Sequence, residues 1–197
     1  MRVVPCTPMT PSSSLDPIAQ KTAQSAPVLA VLQQLQSGAT QVLLHGLPSA
    51  LGAFALTAIY RQLQRPIVLI AADEDRAESW RDDLMSIAGE EAVHYFPRWD
   101  IGLYDTRSPD AEISGLRIEA VSALTTGAQC FIVAPAAALL TPVIPPHALE
   151  LTTLNLRVGQ EYALDEITSH LTDAGFESVA TVDGVGQFSS RGGILDV

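Results

Sequence analysis

The chain has 197 residues, with 22 acidic against 11 basic for a net charge of −11, and 47% of its residues are hydrophobic while 17% are charged. That balance excludes a disordered polypeptide, because enough apolar surface is present to build a core, and it argues against a non-specific nucleic-acid surface, which needs clustered Lys and Arg. Cys6 and Cys130 have no CxxC spacing, so neither a zinc site nor a disulfide scaffold is expected, and a reducing, cytoplasmic setting fits. No apolar run reaches the roughly 18 residues that cross a bilayer, and no signal-peptide stretch opens the chain, so no membrane partner is expected.

Residues 1–26 hold Pro5, Pro8, Pro11 and Pro17 around Ser12-Ser13-Ser14, with Pro27 just beyond. Prolines at this density prevent regular structure over most of the span, which reads as a flexible tail. A short helix over residues 28–35 follows from the spacing of Leu29, Leu32 and Leu35. From there short apolar runs alternate with amphipathic stretches. Val42-Leu43-Leu44 is a strand candidate ending at His45-Gly46, and a helix spans residues 50–63. Ile67-Val68-Leu69-Ile70 has the look of a buried strand, and Ala77, Trp80, Leu84 and Ile87 mark one face of a helix. Residues 93–96 form a third strand, Ile113, Leu116, Ala120 and Leu124 a third amphipathic helix, and Phe131-Ile132-Val133 a fourth strand. Strands apolar on both faces and separated by helices predict a parallel sheet covered on both sides, an α/β domain over residues 27–143.

Pro142, Pro145 and Pro146 interrupt this pattern, and residues 144–197 read as a separate small α+β module. Leu149 and Leu151, then Leu154, Leu156 and Val158, alternate like half-exposed strand positions. Leu164, Ile167 and Leu171 predict a short helix that Gly175 terminates in a left-handed cap. Residues 178–182, a Gly184/Gly186 turn, residues 188–191 and residues 194–197 read as an antiparallel meander. The last run is apolar with no turn after it, so the expectation is a piece cut from a longer protein.

A strand, a glycine and a helix at the start of a parallel α/β domain is where a phosphate-binding P-loop would sit. Its working form, GxxxxGK[ST], needs backbone N–H groups around the phosphates, a lysine on the terminal phosphates and a hydroxyl on Mg²⁺. The stretch here is Gly46-Leu47-Pro48-Ser49-Ala50-Leu51-Gly52-Ala53. Aligned from Gly46, Leu51 replaces the second glycine, Gly52 the lysine and Ala53 the Ser/Thr, while Pro48 removes an N–H donor. Gly46, Ser49 and Gly52 are thus the remnants of a degenerate loop, and the favoured reading is a plain strand-to-helix turn that binds no nucleotide.

Phe96-Pro97-Arg98-Trp99-Asp100, then Leu103-Tyr104-Asp105, Ser108-Pro109, Glu112-Ile113 and Arg117, together with Arg157-Val158-Gly159-Gln160, Ala174-Gly175-Phe176 and the closing Arg191-Gly192-Gly193-Ile194-Leu195-Asp196-Val197, form a spaced set. The set resembles the N-terminal region of the bacterial transcription-repair coupling factor (Mfd) family over roughly residues 27–197. The resemblance implies a UvrB-like architecture, in which a RecA-like domain without its ATPase motif is interrupted by a small domain that binds UvrA. It also implies that ATP and Mg²⁺ belong to a separate C-terminal motor, and that RNA polymerase and DNA are engaged through other domains of the whole protein. No cofactor, metal or catalytic residue is expected in this fragment. The long DNA-clamping β-hairpin of UvrB has no counterpart in the sequence.

Within the small module the candidate UvrA-binding residues are Arg191, Phe188, Glu177 and Asp183. An arginine pairs bidentately with a carboxylate, and arginines and aromatics are common interface anchors. The blander alternatives are that Arg191 pairs with Asp183, that Phe188 sits in the core, and that Glu177 and Asp183 are merely solvated. Trp99 and Tyr104 lie in a loop-like stretch, where they serve either as a binding surface or, preferentially, as anchors of a long loop. His45, His94, His147 and His170 are scattered without metal-ligand spacing. The reading that fits best is a non-catalytic module that recruits UvrA to stalled RNA polymerase. The rivals are a nucleotide-binding UvrB- or helicase-like fragment with a divergent loop, and a regulatory module that masks its own partner site.

Overall fold

Two short sheets organise the chain in a computed structural model that describes residues 15–47, 50–102 and 105–197. The first is parallel and contains β1 (Ile67–Ala71), β2 (Val93–Tyr95) and β3 (Phe131–Pro135) in the order β1-β3-β2. Ile67 and Val93 both lie level with Phe131, so the central strand is flanked in register on each side. β3 is buried along its whole length. From β1 the chain skips the β3 position to reach β2, then steps back, and right-handed crossovers taken in opposite directions place their helices on opposite faces. α4 (Glu74–Ala88) covers one face with Ala77, Leu84 and Ile87, joined there by Phe54 and Tyr60 of α3 (Leu51–Leu63). α5 (Ala111–Thr125) covers the other with Ala120 and Ala123 over Cys130, Ile132 and Ala134.

Both crossover helices start at an aspartate cap. Asp73 accepts from the backbone N–H of Arg76 at 2.9 Å, and Asp110 accepts from that of Glu112 at 2.8 Å. Each cap satisfies a donor that the first helical turn leaves open, a contribution of about 1 kcal/mol.

Three features of this part differ from the sequence expectation. First, α1 (Asp16–Ala23) is helical within the proline-rich stretch and packs on α3, with Ala19 beside Ala53 and Phe54. Pro17 stands at the start of that helix, where its fixed φ is compatible and its missing N–H costs nothing. The earlier prolines lie outside the described residues. Second, residues 42–44 do not form the expected strand: Val42 and Leu44 pack against the cluster formed by α2 (Ala26–Gln36) and α3, and among the described residues no strand pairs with them. Third, the sheet is not covered on both sides throughout. α5 shields β3 and β2, whereas Val68 and Ile70 of β1 remain 48% and 56% exposed.

The second sheet comes after the proline-rich connector. α6 (Pro146–Thr152) replaces the strand-like reading of Leu149 and Leu151: Pro146 starts it, Leu149 is buried and Leu151 is exposed, so two leucines spaced by two fall on different sides of a helix. No strand forms at residues 154–158, where Leu154, Leu156 and Val158 are exposed. α7 (Leu164–Asp173) ends as its sequence predicts. Gly175 has φ 90°, its N–H donates to Thr172 O at 3.0 Å, and the Phe176 N–H donates to Leu171 O at 2.9 Å. This double closure is the Schellman pattern, and Phe176 completes it by packing on Leu171.

β4 (Glu177–Ser178), β5 (Gln187–Arg191) and β6 (Ile194–Asp196) follow. β5 and β6 are antiparallel, but β4 runs parallel to β5, so the meander is only half as expected. The intervening loop carries the chain back to the start of β4. The Gln187 side chain holds it there, its Oε1 accepting from the backbone N–H groups of Asp183 and Gly184 at 3.0 and 3.2 Å. The β5–β6 turn is built by Gly192 and Gly193, with φ 55° and 99°, two consecutive positive values that glycine adopts at no steric cost.

Two stability predictions follow from the larger sheet. Among the described residues, Thr57 Oγ1 on α3 is a buried hydroxyl without a hydrogen-bond partner. Thr57→Val keeps the shape and removes the orphan, so it should raise unfolding free energy by up to about 1 kcal/mol, read as a higher urea midpoint. A clear loss of stability would contradict the assignment. Separately, His94 Nδ1 lies 2.9 Å from Glu119 Oε1, and the hydrogen bond from His94 holds the Glu119 carboxyl below its ordinary range. A depressed carboxylate contributes stability above its unfolded pKa of about 4.3 and loses it as pH falls through the folded value. Glu119 is more than half exposed, so Glu119→Gln should cost less than about 1 kcal/mol at neutral pH, and the difference should close in acid melts.

Candidate functional site

The predicted partner residues divide between the two ends of β5. Phe188 and Ser189 enter the core of the small sheet, and Ser190 and Arg191 emerge from it. Phe188 is 4% exposed among Ile167, Leu171, Phe176 and Leu195, so it braces the strand from behind and is not on offer at the surface. Ser189 Oγ donates to Ala180 O at 3.1 Å, which pins the same strand to the preceding loop. Arg191 is exposed at the hairpin, level with Ile194, itself exposed. Among the described residues Arg191 has no ion pair, and Asp183 does not reach it.

Glu177 pairs in register with Gln187, and Asp183 donates its N–H to Gln187 Oε1. Both acids are exposed and gather at the start of β5. Arg191 lies four residues further on, about 13 Å along an extended strand. The module thus presents a basic end and an acidic end, joined by a strand that its core keeps rigid.

The spaced set around residues 96–117 converges on one group. Arg117 of α5 is 4% exposed, and its guanidinium carbon lies 4.0 Å from the centre of the Phe96 ring and 4.3 Å from that of Trp99. Nη1 donates to Pro97 O at 2.6 Å and Nη2 to Thr141 Oγ1 at 3.0 Å. Among the described residues no carboxylate pairs with it, and burial pushes the guanidinium pKa below its ordinary value. Withdrawing a charge from water costs several kcal/mol. Two ring contacts of about 2 kcal/mol each when desolvated, and two charge-assisted hydrogen bonds of about 1.5–3 kcal/mol each, offset that cost. The aromatic residues are therefore anchors of the loop. Asp100 assists by accepting from the Asp110 N–H at 3.2 Å, and Asp105 pairs with Arg107 at 2.7 Å. Tyr104 lies outside the described residues.

Sequence reasoning placed Arg117 in the motif but not in the core. A signal existed: residue 117 sits four after Ile113 and three before Ala120, on the apolar stripe of its helix. A charge at such a position needs a buried partner, and the aromatics at 96 and 99 are what supply it.

At the P-loop position, Gly46 is exposed with φ 74°, and Ser49 and Pro48 lie outside the described residues. Gly52, standing where the P-loop lysine would be, is buried in the first turn of α3 beneath Trp80 of α4. A β-carbon there would collide with the Trp80 ring, whose Cζ3 and Cζ2 atoms would stand 3.1 and 3.2 Å away. The helix start is thus packed against an indole, with no room for a side chain. The histidines are dispersed: His94 bonds Glu119, His170 Nε2 lies 3.3 Å from Thr152 O, and no metal-type cluster of His, Cys, Asp and Glu occurs among the described residues. Among these residues no helix is long and apolar enough to cross a membrane.

Replacing Gly52 by lysine should therefore not restore phosphate binding. Gly52→Lys is expected to displace Trp80, lower unfolding free energy by about 1–3 kcal/mol as overpacking does, and give no heat on titration with Mg-ATP. Nucleotide binding by this variant would show that the helix start is open after all.

The family model described as the UvrB interaction domain matches residues 154–197. Over 167 residues, 85% of this chain, the sequence is 27% identical to the transcription-repair-coupling factor of Bacillus subtilis (strain 168), and covers 14% of that protein. It is 29% identical over 178 residues, 87% of this chain, to the corresponding factor of Myxococcus xanthus, covering 15% of it. A third relative, from Staphylococcus aureus (strain USA300), is 24% identical over 160 residues, 81% of this chain and 14% of its own. The chain thus spans about one seventh of the length of these relatives. Matched through its last 44 residues and along most of its length, it is similar to the UvrB-like N-terminal region of the transcription-repair-coupling factors.

Proposed function

We propose that the chain is a non-catalytic docking module that binds UvrA and, within a longer coupling factor, brings it to stalled RNA polymerase. The observation that carries this reading is a coincidence of two findings: the UvrB interaction domain match covers residues 154–197, and within that span Arg191 stands exposed and unpaired on a strand whose back is locked by Phe188. An exposed arginine on a braced backbone, beside an exposed apolar residue, here Ile194, suits an interface anchor, because little backbone ordering is left for binding. Arg191 takes the anchoring role, meeting a carboxylate of UvrA, while Glu177 and Asp183 form an acidic rim at the other end of β5.

Residues 27–143 in this reading are a RecA-like domain that has lost its nucleotide site, and residues 144–197 are the UvrA-binding unit. The packing of Trp80 on Gly52 supports the loss, since neither a lysine nor a phosphate has access there. DNA, RNA polymerase, ATP and Mg²⁺ are handled by other parts of the longer protein. The acidic balance of the chain is in keeping with that division of labour.

Titrating the 197-residue chain with UvrA tests the reading. The wild-type chain should bind, and Arg191→Ala should weaken binding at least about tenfold, about 1.4 kcal/mol, with an unchanged thermal melt. Unchanged affinity in a folded Arg191→Ala protein would remove Arg191 as the anchor, and absence of binding by the wild type would remove the reading itself.

A further inference from the structure

The larger sheet and the partner strand are joined through α5. After β3 the chain makes a 3₁₀ turn (Ala136–Leu140), reaches Thr141, and passes through Pro142, Pro145 and Pro146 into α6 and the small module. Thr141 is where that path is tied down: its Oγ1 donates to Ala138 O at 2.9 Å and accepts from Arg117 Nη2 at 3.0 Å. The other arm of the same guanidinium holds Pro97 O, in the loop after β2. One planar group therefore fixes three segments that are distant in sequence.

A second set of contacts lies earlier on the same helix. Gly115 and Ala111 leave a shallow dent that receives the turn before β5. A β-carbon on Gly115 would stand 3.4 Å from Val185 Cγ1, and one on Gly186 would stand 3.5 Å from Ala111 Cβ. α6 also packs on α5. The turn at Val185 and Gly186 leads directly into β5, so the direction in which Arg191 emerges depends on how α5 is held at both places.

We propose that Arg117 is a positioning residue for the partner surface: by clamping Thr141 to the loop after β2, it sets the angle at which α5 and the connector present β5 and Arg191. The importance of that angle for binding rests on the docking function above, but the clamp itself does not. Lysine cannot substitute, because a single ammonium offers no flat face to two rings and no fork to reach both Pro97 O and Thr141 Oγ1.

The test measures geometry and binding separately on the 197-residue chain. Spin labels at Thr125→Cys and Ser190→Cys, in a Cys6→Ser background with Cys130 fully buried, report the distance between α5 and β5 by pulsed electron resonance. The parent should give one narrow distribution. Arg117→Gln and Arg117→Lys should broaden it, and so should Thr141→Val, which keeps the side-chain shape and removes the bond to Arg117 together with the local bond to Ala138 O. UvrA affinity should fall about fivefold or more in each variant, with unchanged far-UV circular dichroism. A narrow parent-like distribution in Thr141→Val, or in Arg117→Lys, overturns the proposal. If the wild type binds no UvrA while the distances broaden as expected, the clamp stands and the docking function fails.

Discussion

Everything in the larger part of this chain depends on burying β3 on both faces. Phe131 and Val133 point to one side and Ile132 and Ala134 to the other, and none of them carries a polar atom that could compensate for exposure. The strand is only five residues long. α4 lies over it on one side, while α5, set closest to β2, covers the other side through Ala120 and Ala123, and the Tyr60 ring closes on Phe131 with ring centres 4.6 Å apart. With the two crossovers committed to opposite faces, β1 is left at an edge, with Val68 and Ile70 open to solvent.

Seating α5 on β3 has a consequence at its N-terminal half. Position 117 falls on the covered stripe, where a guanidinium survives only if its faces and its N–H groups are satisfied by protein. Phe96, Trp99, Pro97 and Thr141 do this together, which explains why the spaced aromatic motif and the arginine occur in one set although 18 residues separate Trp99 from Arg117. The motif is an internal clamp between a loop, a helix and a connector. Its place in the fold, at the carboxyl ends of the parallel strands, is where open α/β sheets commonly hold ligands. Here protein side chains fill that place, and the first turn of α3 is likewise packed, by Trp80.

The small module shows the same economy of parts. Three buried side chains, Ile167, Leu171 and Phe188, form its centre, and the Schellman closure at Gly175 adds Phe176 to them. With so small a core, side-chain hydrogen bonds hold the path of the loop between β4 and β5, through the amide of Gln187 and the hydroxyl of Ser189. The consequence is a strand held from behind and, by β4 and β6, along both edges, with the Arg191 side chain exposed at the hairpin.

The sequence by itself determined the elements whose signals are local. The apolar run of β3, the stripe of α4 and the Gly175 stop all act within a few residues of themselves, and each is read directly. The spaced motifs likewise carried the resemblance to the coupling factors. Only the tertiary structure decided matters that depend on a distant neighbour. Residues 42–44 are strand-like but find no strand to pair with, and Asp16–Ala23 becomes helical against α3 despite the prolines around it. Leu149 and Leu151 match a strand by spacing, yet the helix started by Pro146 turns them to different sides. Phe188 is the one expected in the core by residue type while Arg191 fits either an ion pair or an interface, and the fold buries the first and leaves the second outside. The parallel pairing of β4, the burial of Arg117 and the indole over Gly52 have the same cause: each depends on a side chain from another element, and periodicity reports only how a segment is patterned, not what it meets.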